Sequence, residues 1–270
     1  MHGIGNDFVM VNGFQESIPE HELADVSKAV CDRKFGVGSD GLILALPGKD
    51  SPFRMRMFNP DGSESEMCGN GVRCFIKFLH DERLTQEREV PVETGAGELQ
   101  LVLRDDGQVQ VDMGLARLKR GEIGMTGPAS ETFVDAPVNI LDQEFRGTAV
   151  GMGNPHLVIF SPNVADINLR VLGPALENLS LFPARVNVHF VQVVHPGHIV
   201  QRTWERGAGI TLACGTGACA CAVASYLNGH TGRAVDVKLP GGTLQIYYRE
   251  DERVYMTGPA ETIFSGEFSL

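Results

Sequence analysis

Several things are absent from this sequence, and each absence narrows its chemistry. No run of basic residues occurs, and the formal net charge is −11. That balance argues against nucleic acid or an anionic membrane surface as a partner. No apolar stretch approaches the length needed to span a bilayer. The start, MHGIGNDF, lacks the basic and apolar regions of a secretory signal, so the expected location is the cytoplasm. Six cysteines are present, at 31, 68, 74, 214, 219 and 221, but none forms a C-x-x-C pair and no H-x₃₋₅-H pattern lies near them. A structural zinc site and a disulfide framework are both disfavoured. No lysine motif of the kind that holds pyridoxal phosphate is evident, so neither metal nor cofactor is expected.

With 43% hydrophobic residues, the 270-residue chain can build two cores of ordinary domain size. Strand-like alternation marks residues 99–103, 109–113, 186–194, 199–204, 235–239, 243–248 and 253–257. Helical patterns are fewer. Residues 68–79 carry Val72, Phe75, Ile76 and Leu79 on one face. Residues 217–227 are apolar nearly all round, as expected of a helix inside a core. Residues 18–33, opened by Pro19, form a weaker third pattern. Many strands around few buried helices predict an α+β fold.

Two motifs recur at nearly one offset. Gly3-Ile4-Gly5-Asn6 returns as Gly151-Met152-Gly153-Asn154, and Cys68-Gly69-Asn70-Gly71 returns as Cys214-Gly215-Thr216-Gly217. The offsets are 151 − 3 = 148 and 214 − 68 = 146. The repetition predicts two similar halves related by a pseudo-twofold axis, with the boundary within 115–128.

The repeated cysteines carry the chemistry. Glycine lets the backbone approach a ligand closely, and the first turn of a helix leaves N–H groups free to bind a carboxylate. The same field favours a thiolate, so a cysteine there is expected to titrate nearer neutral pH. Two such motifs facing one cleft would place a sulfur on each side of an α-carbon. One thiolate could remove the α-proton while the opposite thiol returns a proton to the other face. The amides of Gly69, Asn70, Gly215 and Thr216 would hold the developing negative charge. Cys31, Cys74, Cys219 and Cys221 lack this setting and are expected to be packed core residues.

The motifs resemble those of the diaminopimelate epimerase family, within the pyridoxal-independent amino-acid racemases. The matching text is HGIGNDF at 2–8, GVGSD at 36–40, FNPDGSE at 58–64, CGNGVRC at 68–74, GNPH at 153–156, RVN at 185–187, ERGAG at 205–209 and ACGTG at 213–217. It runs in family order across almost the whole chain. The resemblance implies reversible conversion of LL- to meso-diaminopimelate, a step of lysine and peptidoglycan precursor synthesis. It implies Cys68 and Cys214 as acid and base, with Cys214 accepting from the LL substrate and Cys68 donating. It places His156 and Glu205 beside the cysteines, able to accept a proton from a thiol or orient it. Glu205 echoes Asn59 in the other half, since 205 − 146 = 59. Asn6, Asn59, Asn154 and Asn187 match substrate contacts, and Arg206 could clamp a carboxylate.

The implied fold has two barrel-like β domains, each wrapping a central helix, with the active site between them. The expected domains are residues 1–117, possibly joined by 263–270, and residues 118–262. Closure on the substrate, sensitivity to oxidation and a homodimer are further expectations. Gly41 departs from the family, where some members carry a glutamine that contacts the distal end of the substrate. The alternatives are a proline or hydroxyproline racemase, a thiol redox enzyme, and a non-catalytic amino-acid-binding module.

Overall fold

A computed structural model describes residues 1–66 and 69–269. The chain divides into two compact units, one formed by Met1–Asp112 and Thr257–Leu270, the other by Met113–Met256.

The first unit opens on a tight hairpin, His2–Gly3 with Asn6–Asp7. Its two corner residues, Ile4 at φ 51° and Gly5 at φ 86°, lie in the left-handed region that such two-residue turns demand. Strand Val9–Asn12 runs parallel to Leu42–Pro47, which pairs antiparallel with Phe53–Phe58. Phe53–Phe58 runs parallel to Glu89–Thr94, and antiparallel neighbours Gly97–Leu103 and Val109–Leu115 follow. Parallel neighbours need a crossover, and each here has a helix. Leu23–Cys31 links the first parallel pair and Gly69–Asp81 the second.

The second unit repeats this plan. Pro155–Phe160 runs parallel to Asn187–His195 across the helix Leu169–Glu177. Asn187–His195 pairs antiparallel with His198–Glu205. His198–Glu205 runs parallel to Ala234–Leu239 across the helix Gly215–Leu227. Gly242–Tyr248 and Arg253–Gly258 complete the order, and Ala136–Ile140 and Gln143–Gly151 extend its other end. The central helices begin at Gly69 and Gly215 and each has 13 residues. Their offset, 215 − 69 = 146, is that of the cysteine motifs. The duplication inferred from two short motifs therefore extends to strand order and crossover helices. The fold is mixed, with two sheet-rich units.

Within each unit the sheet lies between an inner and an outer helix. The outer helix of the first unit buries Leu23, Val26 and Val30 against Leu42, Leu44 and Phe58. That of the second buries Leu169, Leu172 and Leu176 against Leu157, Ile159, Val188 and Phe190. The inner helix Gly69–Asp81 buries Val72, Phe75, Ile76 and Leu79 completely, each large side chain contributing about 2 kcal/mol. The inner helix Gly215–Leu227 is buried on every side from Gly217 to Ser225. Strands from both ends of its unit's order, Gln143–Gly151 and Gly242–Tyr248, pack against it. The sheet can close that tightly because the helix carries mainly Gly, Ala and Cys.

Near the start, strand His2–Gly3 is short but held. His2 and Glu261 exchange two backbone hydrogen bonds, both at 2.9 Å. The Arg73 Nε–H donates to the Pro259 carbonyl at 3.2 Å, and the Thr262 hydroxyl donates to Asp81 at 2.8 Å.

Candidate active site

Cys214 caps the helix Gly215–Leu227 in extended conformation, φ −131° and ψ 101°. Its Sγ accepts from the Gly217 N–H and lies 3.8 Å from the Thr216 hydroxyl oxygen. These contacts favour a thiolate, as a helix start would. Burial opposes them, and the neighbouring Glu205 carboxylate adds to the opposition. Together they push the Cys214 thiol well up. The direction is opposite to that expected from the helix start alone, because two local donors do not offset removal from water beside a negative charge.

Glu205 ends the strand His198–Glu205 and turns toward Cys214. The thiol donates to its carboxylate, and the Thr211 hydroxyl donates to Oε1 at 2.5 Å. Burial raises the carboxyl, an effect the two donors partly offset. Glu205 is thus a well-placed acceptor for the thiol proton. Thr211 was missed in the sequence because it lies between the two recognised motifs. Its neighbour Ile210 pairs with Trp204 and packs no core, being 45% exposed.

His156 is the second residue of strand Pro155–Phe160, is buried, and stands in parallel register with Asn187. Both its ring nitrogens are engaged: Nδ1 is 2.8 Å from His189 Nε2, and Nε2 is 2.7 Å from Asn154 Oδ1. Burial, His189 and Arg206 hold it well below the ordinary histidine value. Asn187 accepts the Arg206 N–H on Oδ1 at 2.9 Å and donates to the Pro155 carbonyl at 3.1 Å. It therefore ties the turn carrying Arg206 to the strand carrying His156. The Arg206 guanidinium donates to the Ala184 carbonyl at 2.9 Å. Gly215 is buried at the helix start, and Thr216 beside it is half-buried.

In the first unit Cys68 lies outside the described residues. Gly69 and Asn70 follow it at the start of the inner helix, both buried. Asn70 Nδ2 donates to Asn6 Oδ1 at 3.0 Å, and Asn6 Nδ2 donates to Asp40 at 2.6 Å. Arg33 bridges Asp40 and Asp7, both at 2.7 Å. The fully buried Arg73 donates to Asn70 Oδ1 at 2.9 Å and to the Gly69 carbonyl at 3.1 Å. One polar chain therefore fixes Asn6 and Asn70. Asn59 is set apart from it: its Nδ2 donates to Ser63 at 2.9 Å and its carbonyl accepts from Ser27 at 2.9 Å. At Gly41 a Cβ would lie 3.0 Å from the Phe58 carbonyl oxygen and 3.1 Å from Met57 Cε, so a side chain there would need these neighbours to give by a few tenths of an ångström.

The described cysteines are all buried. Cys74, Cys219 and Cys221 sit fully inside, and Cys31 accepts from Ser39 at 3.2 Å. No helix is long and apolar enough to cross a membrane among the described residues.

The family model for diaminopimelate epimerase matches residues 1–119 and 148–263. Diaminopimelate epimerase of Desulforudis audaxviator is 50% identical over 272 residues, covering 99% of this chain and 97% of the relative. That of Moorella thermoacetica is 48% identical over 275 residues, covering 100% and 98%. Among solved structures, a probable proline racemase from Agrobacterium radiobacter K84 aligns with TM-score 0.68 at 16% identity, covering 100% of this chain and 91% of that one. A hydroxyproline epimerase from Agrobacterium vitis aligns with TM-score 0.64 at 17% identity, covering 96% and 87%. At those identities the structures establish a shared fold alone. With a family model spanning both units and relatives near half identity over the full length, the chain belongs to the diaminopimelate epimerase family.

Proposed function

We propose that the chain interconverts LL- and meso-diaminopimelate by proton transfer at one α-carbon, with Cys68 and Cys214 as the acid and base pair. The observation that carries this is the Cys214–Glu205 contact: a thiol at a helix start that donates to a buried carboxylate whose own affinity for protons is raised.

Glu205 takes the Cys214 proton and leaves a thiolate. The two groups are in hydrogen-bond contact, so the proton has a direct path, and burial raises the affinity of the carboxylate that receives it. With the LL substrate the Cys214 thiolate removes the α-proton, forming an S–H bond as the C–H bond breaks. The electron pair spreads into the carboxylate as an enediolate. The N–H groups at Gly215 and Thr216, with those at Gly69 and Asn70, stabilise that charge. The Cys68 thiol then gives its proton to the opposite face. The product has inverted configuration, and the two sulfurs have exchanged protonation states. Asn6, Asn59, Asn154, Asn187 and Arg206 supply donors and acceptors for the ammonium and carboxylate groups. The chemistry so written uses only the chain's own side chains and amides. Location in the cytoplasm and assembly as a homodimer belong to the same proposal.

The test is incubation with LL-diaminopimelate in deuterated water. Formation of the meso isomer with deuterium at the inverted carbon is expected. Absence of both would overturn the assignment.

A further inference from the structure

The buried polar residues His189, Thr203 and Gln201 lie behind His156 and play no part in the mechanism above. All three are essentially inaccessible to water. His189 and Thr203 face each other across two antiparallel strands, and the His189 ring presses against the backbone of Gly217. A polar cluster in such a place requires compensation for its desolvation.

We infer that His189 is a positioning residue, which fixes His156 as the tautomer donating from Nε2 and thereby fixes the orientation of the Asn154 amide. The inference rests on the reading of Asn154 as a substrate contact. The hydrogen bonds all run one way. Gln201 Nε2 donates to Thr203 Oγ1 at 2.8 Å and lies 3.3 Å from His189 Nδ1. The Thr203 oxygen, which accepts from Gln201, lies 2.9 Å from His189 Nδ1, and its hydroxyl proton is thereby placed to point at that nitrogen. With two donors aimed at it, His189 Nδ1 is the acceptor nitrogen, and a neutral ring carries its proton on Nε2. That N–H donates to His156 Nδ1 at 2.8 Å. His156 then carries its own proton on Nε2 and donates to Asn154 Oδ1 at 2.7 Å. Burial supports single protonation, holding His189 down to about 3 and His156 well below the ordinary value.

The consequence is local to Asn154. Its carbonyl oxygen is committed to the imidazole, so its NH₂ is the end left to meet a ligand, and the ligand group it suits is an acceptor such as a carboxylate. His156 acts here through its N–H, as an orienting group. Reversal of the chain would require both amides to turn over and would put the protons on the Nδ1 atoms.

Nitrogen-15 NMR of histidine-labelled protein reads the tautomers directly, whether or not the protein turns over. Both rings are expected to be neutral and protonated at Nε2. His189→Leu removes the donor, so His156 is expected to populate both tautomers. KM for the LL substrate is expected to rise about tenfold, with kcat within about threefold, for the loss of one oriented contact. His189→Gln, whose amide donates from a similar position, is expected to restore Nε2 protonation and most of the affinity. Thermal melts establish that the variants are folded. Protonation of His156 at Nδ1 in the wild type overturns the inference, as does a folded His189→Leu variant with unchanged tautomer and KM. A folded His189→Gln variant that restores neither overturns it too. A wild-type protein with the expected spectra but no epimerisation instead removes the proposed activity and leaves the tautomer assignment standing.

Discussion

Trp204 donates its indole N–H to the Glu177 carboxylate at 2.7 Å. The same carboxylate accepts the Gly207 N–H at 3.0 Å and the Arg185 guanidinium at 2.9 Å. Glu177 comes from the outer helix, while Trp204 and Gly207 flank Glu205 and Arg206. One buried anion thus anchors the turn that carries two of the proposed site residues. Its pairing with Arg185, which is 53% exposed, adds little, since water screens the guanidinium. The two part-buried N–H donors, of Trp204 and Gly207, matter more. Glu177→Ala is expected to cost about 1–2 kcal/mol through the lost hydrogen bonds to them, measured by urea denaturation. KM is expected to rise with it. Unchanged stability would show that the turn is held elsewhere.

Glu205→Gln retains shape and removes the proton acceptor. A fall in kcat of about a hundredfold is expected, the usual scale for loss of a general base, with fold intact. The Cys214 thiolate is expected to appear at lower pH, since the Glu205 carboxylate is, after burial, what raises it. Thiolate absorbance, read as a difference against Cys214→Ser, measures this. Because Glu205 is raised, the folded protein holds that proton more tightly than the unfolded chain. Its contribution to stability is present below the ordinary carboxylate value and lost as pH climbs through the raised one. The glutamine variant is expected to lack that loss.

The buried histidines make the opposite demand. Both are depressed, His189 to about 3. Below about pH 6.5 the unfolded chain binds protons that the folded protein refuses. Stability is therefore expected to fall as pH drops from about 6.5 toward about 3, by about 1.4 kcal/mol per pH unit for each histidine that stays neutral. His189→Gln is expected to flatten that slope. Equal slopes in the two proteins, from denaturation at several pH values, would contradict it.

Gly217→Ala tests how closely the inner helix is packed. A Cβ there would sit 2.3 Å from His189 Cε1 and 2.9 Å from Cys214 Sγ. Neither the buried ring nor the capping sulfur can withdraw freely. Destabilisation of about 1–3 kcal/mol is expected from overpacking, together with loss of turnover. A variant with normal melting temperature and kcat would mean that the ring has room to move.

The strands most legible in the sequence have one face buried. Gly242–Tyr248 and Ala234–Leu239 alternate along their length, and periodicity finds them. Leu42–Pro47 and Pro155–Phe160 are buried on both faces, so their apolar runs do not distinguish strand from helix. The helix Leu169–Glu177 is masked by Pro174 in its middle, which reads as a stop. At the site, the glycines beside Cys214 gave away the helix start, and its titration behaviour did not follow, because burial is a property of the packed unit. His189, Gln201 and Thr203 stand among apolar neighbours and look like ordinary strand residues. Their signal becomes visible only once strands Asn187–His195 and His198–Glu205 are paired and three polar side chains are found on one inward face.

The helix Gly215–Leu227 has a consequence for how this sequence can drift. Its flanks admit no extra methyl groups, and its interior offers no water to a newly introduced polar tip. Exchange along it is then confined to residues of nearly equal volume, with Ala, Gly, Ser and Cys as the available currency. Cys219 and Cys221 are spacers on this view, kept for their size and replaceable by alanine, or by a serine that bonds back to the carbonyl four residues earlier as Ser225 does, whereas position 214 carries the proposed proton transfer.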